Sequence, residues 1–126
     1  MARLSSESIS TVEADRTNNA IQAAAKWNKV VVLKGAYTVV ASPSGQARLS
    51  PFANPGLASA GTGDVLAGTI AGLLAQGLSL EDGAALGVYV HALAGELVRD
   101  DIGDTGMLAS DLLPALPGTI KEIKMG

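Results

Sequence analysis

Cysteine is absent from the 126 residues, so neither a disulfide framework nor a thiolate metal site is available. Aromatic residues are scarce at 3%, although hydrophobic residues make up 48%, so the core must be built from Ala, Val, Leu, Ile and Gly. Basic charge is also short. The formal net charge is -3, which argues against nucleic acid or an anionic membrane as the main partner, because both demand basic surface. Between Arg48 and Arg99 there is no Lys or Arg at all. The longest apolar run, around Val65 to Leu74, is too short to span a bilayer. The first residues are polar, so no secretory leader is expected, and a soluble cytoplasmic chain of one small domain is the expectation.

Periodicity sets out the elements. Val12, Arg16, Ala20, Ala23, Ala24 and Trp27 recur at helical spacing, which predicts a helix over Thr11 to Trp27 with Ser8 or Ser10 as cap. Val30 to Leu33 is an unbroken β-branched run that predicts a strand buried on both faces. Tyr37 to Ala41 and Gln46 to Ser50 read as two further strands joined by a turn at Ser42-Pro43-Ser44-Gly45. Residues 51–63 read as loop. Val65 to Gln76 reads as a helix whose Gly68 and Gly72 permit close backbone packing. A helix capped by Ser79 follows, with Leu86, Val90, Leu93 and Leu97 as its apolar stripe. Asp100 to Gly106 reads as a polar loop. Ser110 or Asp111 caps a short helix interrupted by Pro114 and Pro117, and Gly118 to Lys124 forms a last turn. The pattern is α/β.

The informative stretch is "NPGLASAGTGDVLAG", Asn54 to Gly68. Gly61-Thr62-Gly63 can bring bare N–H groups close to a ligand, and the helix that follows adds its positive end. With no cationic side chain nearby in sequence, a phosphate here is held by backbone. Asp64 sits where that anion would lie. A carboxylate beside a phosphate makes sense if it takes a proton from a hydroxyl about to attack that phosphate. The bland alternative is an acid on a helix dipole and glycines that only turn the chain.

The longer string resembles the ADP/ATP-dependent NAD(P)H-hydrate dehydratases, a ribokinase-like family that repairs hydrated nicotinamide cofactors. "VVVLKGAYTVVASPSG" (Val30 to Gly45) is similar to the family's strand, Lys-Gly turn and hairpin, and Asn54 to Leu78 to its anion-hole loop and helix. "LGVYVHALAGELV", "LASDLLPALP" and "EADR" extend the likeness over nearly the whole chain. The resemblance implies the C-terminal half of a three-layer α/β/α domain. It implies that Lys34, Gly35, Ala36, Tyr37 and Thr38 lie along ATP or ADP, that Asn54 to Thr62 line the nucleotide, and that Gly63 contacts the adenylate. Asp64 would touch the hydrated nicotinamide and act as base, with Gly61, Thr62 and Gly63 as the anion hole. Mg²⁺ is expected with the nucleotide, and no ligand set for it is legible.

Other residues invite lesser roles. His91 lies beside an apolar stripe without a partner motif, so a structural histidine is expected. Asp100, Asp101 and Asp104 match no cation-loop spacing and read as a solvated loop. Asp111 reads as a helix cap. Arg16 pairs with Glu13 or Asp15, or turns to the core side. The family domain is about twice this length. The chain is therefore a fragment, a half-length homologue that self-associates, or the partner of a separate N-terminal half; a homo-oligomer is expected because a half-sheet leaves an edge and an apolar face. Two functional readings stand beside the enzyme: a non-catalytic nucleotide-binding or structural remnant, and a ribokinase-like small-molecule kinase.

Overall fold

The alternation of side chains along one short strand organises the molecule. The computed structural model describes residues 15–58, 60–103 and 105–125. Helix α1 (Arg16–Trp27) leads to strands β1 (Val31–Leu33), β2 (Val39–Ala41) and β3 (Ala47–Leu49), which form an antiparallel sheet in the order β1-β2-β3. In the central strand β2 all three residues are buried. Val39 and Ala41 pack with Leu33 against Ala20 and Ala24 of α1. Val40, pointing the other way, packs against Leu66, Ala84 and Val88. Those residues belong to α2 (Thr62–Ala75) and α3 (Leu80–Ile102). The period of two in a strand thus puts helices on both faces, the expected three-layer α/β/α arrangement. A third cluster joins Ala94 and Val98 of α3 to Met107 and to Leu112 of α4 (Ala109–Leu112), and α5 (Ala115–Met125) closes it with Ala115 and Leu116.

Several expectations are corrected. Strand β1 has helices over both faces, yet Val31 and Val32 are only half-buried, because β1 lies at the sheet edge with β2 as its one neighbour among the described residues. Helix α1 starts at Arg16 under an Asp15 cap, whose Oδ1 accepts from Asn18 N–H at 3.2 Å. Ser8, Ser10, Thr11, Val12 and Glu13 lie outside the described residues. Helix α2 begins at Thr62, three residues before the expected start, so Gly63 and Asp64 stand in its first turn. The preceding loop contains a single 3-10 turn, Pro55–Ala58.

Gly68 and Gly72 meet nothing within 4 Å, so their face of α2 is open. The close approach is made instead by α3. A Cβ on Gly87 would fall 2.5 Å from Ile70, and one on Gly83 would fall 2.4 Å from Leu74. The buried stripe of α3 is likewise carried by small residues, Ala84, Val88, Ala92 and Gly95; of the four expected stripe residues only Val90 is buried, with Leu86, Leu93 and Leu97 half-exposed. That helix also runs through Asp100 and Asp101 to Ile102, where Gly103 ends it. The C-terminal segment is an 11-residue helix and not one turn, since Pro117 sits in its first turn, where no amide partner is lost. Ser79 caps α3 as read, accepting from Asp82 N–H at 3.1 Å, whereas α4 starts after Leu108, so Ser110 and Asp111 lie inside it and Asp111 reaches back to accept from Leu108 N–H at 2.8 Å.

Candidate functional site

Three segments converge beside the sheet: the turn after β1, the loop before α2, and the middle of α3. They enclose a cleft of about 900 Å³. Its walls include Lys34, Gly35, Ala36, Thr38, Asn54, Gly61, Thr62, Gly63 and Asp64, so nine of the ten residues singled out in the sequence face one space. Tyr37 is the exception. Its backbone is left-handed, at φ 55°, and its side chain is 54% exposed beside a separate hollow with Asp15, Thr17 and Leu49. The left-handed backbone at Tyr37 also explains why β2 starts at Val39 and not at Tyr37.

The start of α2 is fixed from two sides. Thr62 is 4% exposed, its Oγ1 donates to Leu57 O at 2.5 Å, and its carbonyl accepts from His91 Nε2–H at 2.9 Å. The Thr62 hydroxyl is therefore committed to the fold. Asp64 N–H and Val65 N–H both go to Gly61 O, at 3.1 and 3.2 Å. Among the described residues no protein acceptor takes the Gly61 or Gly63 N–H. These are orphan donors of a helix start, and they border the cleft. Gly61 has φ +86°, the region that glycine tolerates. At Gly63 an added Cβ would sit 2.7 Å from Lys34 Nζ, so the lysine ammonium lies directly over the glycine loop. The sequence placed no cation near this loop; the tertiary structure brings one across from β1.

Asp64 is exposed on the cleft wall. Asn54 adds a second kind of orphan. Its Oδ1 accepts from Gly56 N–H at 2.9 Å, while Nδ2 is buried and has no partner among the described residues. A buried amide donor without an acceptor is costly, and one in a cleft wall suits a ligand oxygen.

His91 was read as structural, and its contact supports that: it holds Thr62, but it also lines the cleft. Burial lowers its pKa, the Thr62 contact opposes that shift, and the nearby Lys34 charge lowers it further. The imidazole is thus neutral at pH 7, with its proton on Nε2. Arg16, left open between Glu13, Asp15 and the core side, crosses to the end of β1 and the turn after it and donates to the carbonyls of Leu33, Lys34, Ala36 and Tyr37; Glu13 lies outside the described residues. Neither role had a local signal, because each joins residues 17 or more apart. Asp100 and Asp101 lie far along α3 from this cleft, and Asp104 is outside the described residues.

Among the described residues no group of three or more His, Asp or Glu is close enough to hold a metal ion, and no helix is long and apolar enough to cross a membrane. The arrangement suits an anion whose charge meets two backbone amides, an ammonium and a side-chain amide, with a free carboxylate at its edge.

Comparison with known proteins gives this cleft a setting. The chain is 41% identical over 124 residues to a bifunctional NAD(P)H-hydrate repair enzyme of Thermofilum pendens, covering 98% of this chain and 24% of that protein. It is 39% identical over 126 residues to an ADP-dependent (S)-NAD(P)H-hydrate dehydratase of Xanthomonas campestris, covering all of this chain and 44% of that one. The chain thus spans between about a quarter and under half of these relatives. The crystal structure of the ADP/ATP-dependent NAD(P)H-hydrate dehydratase from Bacillus subtilis, co-crystallised with ATP and Mg²⁺, superposes with a TM-score of 0.84 at 36% identity, over 88% of this chain and 40% of that one. The shared architecture is ribokinase-like. The family model described as NAD(P)H-hydrate dehydratase matches residues 1–118, a span that takes in the Lys-Gly turn, the glycine loop and the helices that hold them. By that match the chain belongs to the NAD(P)H-hydrate dehydratase family.

Proposed function

We infer that this chain carries the nucleotide-phosphate and base half of an ADP/ATP-dependent NAD(P)H-hydrate dehydratase. The observation that carries the reading is the meeting of Asp64 with the unspent Gly61 and Gly63 amides under the Lys34 ammonium. In that reading the terminal phosphoryl group of ATP or ADP lies at the head of α2. The two glycine amides donate to its oxygens and stabilise the charge that grows there during transfer. Lys34 Nζ supplies the compensating positive charge, and the Asn54 Nδ2–H is a further donor. Asp64 accepts the proton of the hydroxyl on the hydrated nicotinamide ring as that oxygen attacks the phosphoryl group. ADP, or AMP when ADP is the donor, departs with the bridging oxygen; the new phosphate then leaves the ring with the C–O bonding pair, the adjacent ring carbon gives up a proton, and the double bond of NADH or NADPH is restored. The residues present fit a nucleotide. Among the described residues no cation site is formed, so a Mg²⁺ that accompanies the nucleotide would be carried by the nucleotide, and no step is assigned to it.

The second wall of the substrate pocket comes from another chain segment, either a second copy or a complementing N-terminal half. Action in the cytoplasm, on the soluble nicotinamide pool, completes the proposal.

Titration with ATP and ADP, followed by turnover of hydrated NADH by wild type and Asp64→Asn, tests it. Both proteins should bind nucleotide, and turnover should fall roughly 10²- to 10⁴-fold in the variant. Nucleotide binding with no turnover by wild type, alone or with its complement, points to a binding remnant. A stable phosphorylated product from another small molecule points to a kinase.

A further inference from the structure

The guanidinium of Arg16 does something that neither the glycine loop nor the base explains. Arg16 is the first residue of α1, on the opposite side of the sheet from α2. Its Nη2 donates to Leu33 O at 3.0 Å and Lys34 O at 2.9 Å, and its Nη1 donates to Ala36 O at 2.5 Å and Tyr37 O at 3.4 Å. One side chain thus gathers four carbonyls from five consecutive residues. The backbone wraps it closely: a Cβ on Gly35 would fall 2.8 Å from Nη2, and Gly35 has φ +148°.

The amides of the same peptides are pinned too. The Lys34–Gly35 peptide gives its carbonyl to Arg16 and its N–H to Thr38 Oγ1 at 3.3 Å. The Ala36–Tyr37 peptide gives its carbonyl to Arg16 and its N–H to Phe52 O at 3.1 Å. Between them, the Gly35 carbonyl accepts from Thr38 Oγ1 at 3.1 Å. The amide left over is that of Ala36, which has no protein acceptor among the described residues and belongs to a cleft-lining residue.

The electrostatic consequence follows. A carbonyl oxygen carries the negative end of the peptide dipole, and a free one facing the cleft would repel a phosphate. Arg16 draws four of them to itself. What the turn then offers among its cleft-lining residues is an Ala36 amide without a protein acceptor among the described residues and the Lys34 ammonium over Gly63. The left-handed Tyr37 backbone is strained and persists because its carbonyl and amide are both held.

We propose that Arg16 is a positioning residue: by collecting the carbonyls of the Lys34–Tyr37 turn it sets the turn's shape, holds Lys34 over the glycine loop, and keeps the phosphate side of the cleft free of carbonyl oxygens. The link to phosphate rests on the nucleotide reading above. The shape of the turn does not. A planar fork with five donors is needed, because a lysine ammonium cannot serve carbonyls on both sides of the turn.

The test uses this chain as wild type, Arg16→Lys and Arg16→Ala, with three measurements. Amide hydrogen exchange without nucleotide reads the turn directly. Exchange at Gly35 and Tyr37 should rise about tenfold or more in both variants, while amides in the middle of α3 keep their wild-type rates. Thermal melting guards against general unfolding. ATP affinity, by calorimetry, should weaken about tenfold or more, with Arg16→Lys restoring little of it. Exchange at Gly35 and Tyr37 that is unchanged, or that rises only in step with α3, overturns the proposal, as does full affinity in Arg16→Lys. If wild type binds no ATP, the nucleotide reading fails on its own, and the exchange comparison still decides whether Arg16 shapes the turn.

Discussion

His91 sits in the middle of a long helix and spends its one ring proton on the carbonyl of Thr62, so it is a brace for the glycine loop. Burial is the main reason its pKa lies below the ordinary 6.5, and the Lys34 charge adds to that. The sign follows. An unfolded chain takes up a proton near pH 6.5, and the folded chain resists until lower pH. The contribution of His91 is therefore fully present above about 6.5 and is lost as pH falls toward the depressed folded value. Urea unfolding between pH 7.5 and 5.5 should show wild type losing more stability than His91→Gln, whose amide can still donate to Thr62. Equal losses would refute the assignment. Single residues also show where local reading reached its limit. Asp64 and the glycines around it were legible because their meaning lies in four consecutive positions. Arg16 and His91 were not, because an arginine at a helix start and a histidine on an apolar helix look alike whether or not a carbonyl waits 17 or 29 residues away.

At the scale of elements, α3 carries the most weight. It supplies buried residues to the sheet-facing and C-terminal clusters and places His91 under the cleft. Its start depends on Ser79, which caps Asp82 N–H, with Glu81 and Asp82 adding negative charge in the first turn. The exposed Arg48–Asp82 pair at 3.3 Å contributes little beside this, since water screens it. Ser79→Ala should cost about 1 kcal/mol in chemical denaturation without altering nucleotide affinity, because the cap lies far along α3 from His91. A loss of affinity with unchanged stability would contradict that. Two glycine pairs four apart, Gly68/Gly72 and Gly83/Gly87, carry the same spacing in the sequence. Only the docking of α2 on α3 decides that the second pair receives Ile70 and Leu74 while the first faces open space.

For the molecule as a whole, the layers are complete over β2 and incomplete outside it. Ala67, Gly68, Ala71, Gly72 and Ala75 form an exposed face of α2, and Leu49, Leu78 and Leu80 are exposed as well. Among the described residues strand β1 adds an edge with half-buried valines. Apolar surface and an open strand edge favour association. The chain should therefore be a dimer or larger species by light scattering at micromolar concentration, unless a complementing half is supplied, in which case a one-to-one complex should replace it. A stable monomer in dilute solution that does not bind such a half would remove this expectation.

The amino-acid order alone settled what depends on neighbours: an α/β order of elements, a glycine loop that opens a helix, an acid at that helix's start, and a serine that caps the next one. The backbone geometry of a turn or a helix end is set within about four residues, so these survive translation into structure nearly unchanged. The tertiary structure alone decided that Lys34 lies over Gly63, that His91 braces Thr62, and that Arg16 reaches into the turn after β1. Each joins elements on different layers, and which side chains meet there is fixed by how the helices settle on the sheet, a property of the whole packed chain that no short window of residues contains.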